Sequence, residues 1–359
     1  MQPTPDKTTE EEEEKAYDAA IDSAFRRAQQ AVRQVKIERA RTRKLVKQLE
    51  LHGPGALPAV PRKGWEIPIV EALLEQSWAL RHEAPARMTE LAEFAELATR
   101  RLEAEVHGHT RVADLRFRVW TELGNAYRIS DRFEESEQAF ERALDQYLQG
   151  TRNKLLLARF LDFSASLHRS RRDFTAAHQH LYLAYTTYRR HGQTHVAGRI
   201  LINMAITVGY NGQPERAIRY IQRGLLMIDQ NQDRRLTAAA LHNYLWFMTE
   251  CGLFEEAREA LCLHRHWYEG PGRVNAIKLQ WLEARIEAGA GNLERAEMEL
   301  REVKSSFEEI DLHYDAALVG LDLAALVLQD DRRMEAHHLL FGAVDAFSAL
   351  GLCRAKSLR

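Results

Sequence analysis

One segment recurs six times at nearly constant spacing, and this limits what the chain can fold into more than any other feature. The copies begin at Asp131, Arg172, Gly212, Gly252, Gly291 and Asp331. Each carries a small residue five positions on: Ser136, Ala177, Ala217, Ala257, Ala296 and Ala336, at intervals of 41, 40, 40, 39 and 40 residues. Four residues further stand Phe140, Leu181, Ile221, Leu261, Leu300 and Leu340, apolar in every copy. Twelve residues before each small residue lies a second column: Gly124, Ala165, Ala205, Leu245, Ala284 and Ala324. A small residue in each of two helices lets them approach closely, and an apolar residue one turn later fills the groove beside it. A single hairpin of this kind leaves one apolar face bare, so consecutive hairpins must stack into one quasi-linear core.

The copy from Arg118 to Tyr147 resembles the tetratricopeptide repeat, with Trp120, Leu123, Gly124, Tyr127, Ser136, Phe140 and Ala143 at the signature spacing. The other five copies keep the small and apolar columns and lose the Trp and Tyr. The repeat of about forty residues is similar to long-helix versions in bacterial signalling regulators and kinesin light chains. The resemblance covers roughly residues 110–350, and an earlier helix pair, about 66–82 and 85–106, reads as a degenerate first repeat. It implies an all-α, right-handed α-α superhelix of six to seven hairpins that binds a protein or peptide and is not an enzyme.

The flanking segments read differently. Residues 1–14 are acidic, hold too little apolar surface to offset ordering entropy, and are expected to be disordered. Residues 15–52 form a basic amphipathic helix, with ten Lys and Arg against four Asp and Glu. A 4-3 seam there includes Ile21, Phe25, Ala28, Val32, Val35, Val46 and Leu49. Glycines and prolines make 53–64 a linker, the solenoid occupies 65–350, and 351–359 is a tail. The N-terminus has no apolar core of a signal peptide, and no apolar run reaches membrane-spanning length. Three scattered cysteines suit a reducing compartment. A cytoplasmic protein is expected.

Motifs for chemistry are sparse. Cys262 and His266 share a helix face at i, i+4, but His264 points elsewhere and no fourth ligand is evident, so no metal is expected. His337-His338 and His178-x-His180 do not converge on one face. There is no phosphate loop, nucleophile elbow or HExxH, and neither cofactor nor catalytic residue is assigned.

The resemblance implies instead that the first helix of each hairpin lines a concave groove. Six residues before the small position the copies read Arg118, Arg159, Arg199, Ala239, Lys278 and Leu318, four of them basic and in register. Arg128 and Arg169 extend this basic character. Stacked guanidinium groups favour carboxylate or phosphate ligands, so an acidic segment is the expected partner, and replacing Arg118, Arg159 and Arg199 is expected to leave the fold intact. Asn203 and Asn243, each two residues before its small position, form a second ladder that suits an extended peptide backbone, with Asn125 a looser match. Tyr210 and Trp246 fall on the same stripe. The final helix carries apolar residues around most of its circumference, among them Phe341 and Phe347, and is expected to pack against a partner, a second copy or the basic helix. The competing function is a nucleic-acid-linked regulator or the sensor subunit of a multi-protein system, although no helix-turn-helix precedes residue 65 and direct nucleic-acid contact is not expected.

Overall fold

The computed structural model describes residues 67–268 and 273–349, together with Phe25, Arg26, Arg27, Gln29, Gln30, Arg33, Ala40, Lys44 and Lys47, which are helical and exposed. The expected acidic tail, most of the 15–52 helix, the 53–64 linker and the 351–359 tail lie outside the described residues. Those described are helical with short turns, and no strand occurs among them. After α1 (Ile67–Ala79) and α2 (Pro85–Thr99) come α3 (His109–Ile129), α4 (Phe133–Gln149), α5 (Lys154–Ser170) and α6 (Phe174–Arg190). The series continues with α7 (Thr194–Tyr210), α8 (Pro214–Leu225), α9 (Arg234–Glu250), α10 (Phe254–His264), α11 (Arg273–Gly289), α12 (Leu293–Glu308), α13 (His313–Gln329) and α14 (Arg333–Ala349). Odd-numbered helices are the first and even-numbered the second members of successive pairs. Two compact units result, Met1–Leu167 and His168–Arg359.

The repeat is visible in the backbone. Asp131, Arg172, Gly212, Gly252, Gly291 and Asp331 all take positive φ, between 57° and 88°. Each closes the first helix of its pair with a six-to-one hydrogen bond, as from Arg132 N–H to Tyr127 C=O (2.9 Å) and from Gln213 N–H to Val208 C=O (3.0 Å). A left-handed residue at that point satisfies a terminal carbonyl and reverses the chain. Every copy of the repeated segment therefore begins with its turn.

Packing follows the small columns. Ser136, Ala177, Ala217, Ala257, Ala296 and Ala336 are all buried, as are the apolar residues four positions on, except that Leu340 in the last copy is 40% exposed. Ser136 adds a buried hydrogen bond, its Oγ donating to Gly124 C=O at 2.7 Å. In the first unit α1 to α3 bury Val70, Leu73, Leu91, Phe94 and Val119 together, and Phe117, Phe140, Phe160 and Phe163 form an aromatic core further along. In the second unit Ile202, Ile221, Ala240 and Phe247 join α7 to α9, and Trp281, Leu300, Phe307 and Leu323 join α11 to α13.

An ion-pair network ties α12 to α14. Glu297 accepts from Arg332 Nη1 (2.7 Å) and Arg301 Nη2 (2.6 Å), and both arginines also reach Glu335. Hydrogen bonds from Arg332 and Arg301 hold the Glu297 carboxyl down to about 2. Because its folded pKa lies below its unfolded value, the pairing contributes fully above the ordinary carboxylate range and is lost as pH falls toward 2. Thermal melts should show the gap between wild type and Glu297→Gln closing as pH drops from about 5 to 2. A gap that persists at the acid end would contradict this.

Candidate functional site

A stripe of the first helices carries the polar and aromatic residues picked out by the sequence. Counted at 100° per residue, positions −6, −2, +1 and +5 from the small position share one face, about a third of a turn from the hairpin contact. The two units are described separately.

In the first unit, Arg118 lies 3.9 Å from Glu71. Arg159 on α5 donates from Nε to Glu122 on α3, whose side chain is only 3% exposed. The Arg159 guanidinium also lies 4.9 Å from the Trp78 ring centroid and 5.0 Å from that of Phe163, rings that stack on each other at 5.4 Å. Asn125 is buried, and its Oδ1 accepts from Arg128 Nη2 at 2.9 Å. Arg128 thus folds along its own helix. The expectation that these arginines stand clear of the packing needs correction for Arg159, which neutralises a buried carboxylate and covers two aromatic rings.

In the second unit, Arg169 at the end of α5 and Arg199 and Asn203 on α7 are half-buried, and Tyr210 is 54% exposed. Asn243 Nδ2 donates to Ala239 C=O of its own helix at 2.7 Å. Trp246 meets Trp281 edge-on at 4.8 Å and lies 4.0 Å beneath the Arg285 guanidinium. Arg285 bonds to Asp322 Oδ1 (2.6 Å), Thr249 Oγ1 (3.2 Å) and Glu250, and Trp281 Nε1 donates to Asp322 Oδ2 (2.7 Å). Lys278 faces two groups. Asp315 is pushed up by burial against the pull of Lys278. His242 is lowered to about 4 by burial and then by Lys278, so it is neutral at physiological pH.

Sequence reasoning missed Arg285, Asp322 and Glu250, although all three occupy the stripe at +1, −2 and +5. With Asp315 they change its electrostatics. Lys278 and Arg285 on α11 face Asp315 and Asp322 on α13 and Glu250 on α9, so the Lys278 rung of the apparent basic ladder is charge-compensated. What this stripe presents is amide groups, indole faces and fixed ion pairs.

The proposed terminal surface is partly open: Phe341 is 56%, Val344 51% and Met334 84% exposed, and the Phe341 ring lies 4.5 Å from that of His337. Phe347 lies 5.5 Å from the Tyr314 ring. Cys262 is exposed, and His266 lies against Trp267 at 5.3 Å. Among the described residues no three His, Cys, Asp or Glu side chains come together as a metal site requires. No described helix is long and apolar enough to cross a membrane.

No family model matches the chain, and no curated protein matches it. Among solved structures it is similar to NprR in complex with its cognate peptide NprX, with a TM-score of 0.61, 14% identity, and coverage of 77% of this chain and 78% of that one. The Rap conjugation gene regulator of plasmid pLS20 in complex with the Phr* peptide gives a TM-score of 0.59, 16% identity, and coverage of 81% and 77%. Aspartyl phosphate phosphatase F from Bacillus subtilis gives 0.60, 14% identity, and coverage of 77% and 70%. At these identities the likeness establishes the fold: an all-α, tetratricopeptide-like array of helical hairpins.

Proposed function

We propose that this chain is a regulatory binding protein that holds an extended peptide or protein segment along the first-helix face of its second unit. The single observation behind this reading is the alignment of Asn203, Tyr210, Asn243 and Trp246 on one stripe of α7 and α9, next to the fixed Trp281–Arg285–Asp322 cluster. Amides bond an extended backbone whatever its side chains, and indole and phenol rings give apolar anchors between them. Two of the similar structures hold peptides, which supports the same use here. The 39–41-residue period supports reading the chain as a long-helix form of the repeat. The face has the equipment of recognition, and we read the protein as a binder and not an enzyme. Compensated charge leaves little reason for a strongly acidic ligand.

A peptide selected against the full chain from a random display library tests the proposal. Asn203→Ala with Asn243→Ala should weaken that peptide by about 1–3 kcal/mol, the cost of leaving its backbone groups unpaired, with the melting curve unchanged. Equal affinity for the double variant and wild type would overturn this assignment of the face.

A further inference from the structure

The arginines on the second helices of the second unit fall into two groups. Arg258 on α10, Arg295 and Arg301 on α12 and Arg333 on α14 each have a carboxylate beside them: Glu255 at 3.6 Å, Glu299 at 2.8 Å, Glu297 at 2.6 Å and Asp331 at 2.7 Å. Arg189 and Arg190 on α6 and Arg219 and Arg223 on α8 are exposed, and among the described residues no carboxylate lies within ion-pair distance of any of them. Arg216, also on α8, reaches only Gln213, His178 and Tyr220. The division follows the sequence. Residues 168–235 hold eleven Arg, no Lys and four Asp or Glu, whereas residues 236–349 hold ten Lys and Arg against twenty Asp and Glu.

These cations share a face with bare apolar side chains. α6 and α8 lie side by side: Arg216 Nη2 stands 3.3 Å from His178 Nε2, and the Tyr220 ring lies 6.4 Å from that of His178. Counted at 100° per residue, positions +2, +5, +6, +9 and +13 from the small position point away from the core. On α6 they are Gln179, Tyr182, Leu183, Thr186 and Arg190, and along α8 and its C-cap they are Arg219, Gln222, Arg223 and Leu226. Tyr182, Leu183 and Leu226 are 54%, 50% and 86% exposed. No acid occupies the stripe on either helix. Arg190 and Arg223 sit in last turns, where the helix dipole favours a cation; Arg219 has no such role.

We propose that this outer face of α6 and α8 docks a second protein through an acidic segment that carries apolar anchors. Guanidinium groups bind carboxylates through paired, charge-assisted hydrogen bonds, and Arg and Tyr are the residues in which interface energy concentrates. Tyr182, Leu183 and Leu226 call for a partner that covers apolar surface. A nucleic-acid backbone offers phosphates and no such cover, so the mixed face fits a protein. The acidic partner expected of Arg118, Arg159 and Arg199 finds uncompensated arginines here instead. This face and the first-helix stripe lie on different helices, and each can serve without the other.

Selection against the full chain from a display library rich in Asp, Glu, Leu and Phe tests this, with a short DNA duplex as the contrasting probe. A set of the selected peptides should retain both acidic and apolar residues and bind more weakly as salt rises. Their affinity should fall about tenfold or more with Arg219→Glu/Arg223→Glu. The same peptides should be weakened by Tyr182→Ser/Leu183→Ser and be indifferent to Asn203→Ala/Asn243→Ala, which sorts them from ligands of the first-helix stripe. Every substituted side chain on α6 and α8 is exposed, so the melting curves should not move. If the charge reversal melts early, Arg219→Gln/Arg223→Gln takes its place. Three results would each overturn the proposal: a library that yields no peptide sensitive to the α8 arginines, peptides that need those arginines but not Tyr182 and Leu183, or a DNA duplex that binds more tightly than the peptides and is lost with the same substitutions.

Discussion

Gly198→Ala should destabilise the protein by about 1–3 kcal/mol, the usual range for overpacking, although alanine is much the better helix former. The reason lies between α7 and α8. A Cβ on Gly198 comes to 2.8 Å from Met227 Cβ and Ile228 Cγ2 and to 2.9 Å from the carbonyl oxygen of Gly224. The relation is reciprocal, since a Cβ on Gly224 meets the Gly198 carbonyl oxygen at 3.0 Å. Backbone on both sides cannot rotate away as a side chain would, so the helices themselves must separate. That opens the core in which Ile202, Ile221 and Phe247 meet. For a unit of this size the expected fall in melting temperature is roughly 2–10 °C. Gly320→Ala is the matched control: it sits in open space and should be neutral or raise stability by up to about 1 kcal/mol through helix propensity alone. Equal melting temperatures for wild type and Gly198→Ala would mean that the two backbones are not in contact.

The contrast between these glycines shows what the sequence carried and what it did not. Repetition made the array legible, because every copy solves the same packing problem with the same small residue at the same offset. Even the turn was visible, as the residue that opens each repeated segment is the one with positive φ. The partners of the first-helix stripe were not. Aligning each position with its own equivalent in the next copy set Arg118, Arg159 and Arg199 in a row, but the side chains reach diagonally. Arg159 at −6 meets Glu122 at −2 of the preceding copy. Arg285 at +1 meets Glu250 at +5 of the preceding copy and Asp322 at −2 of the following one. Each partner is 35 to 37 residues away, a few residues short of one register step, and a column-by-column reading passes over it.

Arg159→Ala should therefore destabilise the first unit by about 3 kcal/mol, the scale expected when one member of a buried ion pair is removed. Glu122 would remain as an uncompensated carboxylate with 3% of its side chain exposed, and Trp78 and Phe163 would lose the guanidinium that covers them. Removing the charge from both sides should be far milder. Arg159→Met with Glu122→Gln keeps comparable volume and leaves no buried charge, so most of the lost stability should return. Chemical denaturation of the two single variants and the double variant gives the coupling directly; additive losses would show that Arg159 and Glu122 do not depend on each other. The cycle also decides how the basic row is to be probed. A ligand lost with Arg159→Ala alone reports only unfolding, whereas a ligand lost with the folded double variant would make Arg159 a recognition residue. Ligand binding retained in that variant would assign Arg159 to the joint between α3 and α5, leaving recognition to the amides and indoles of the second unit.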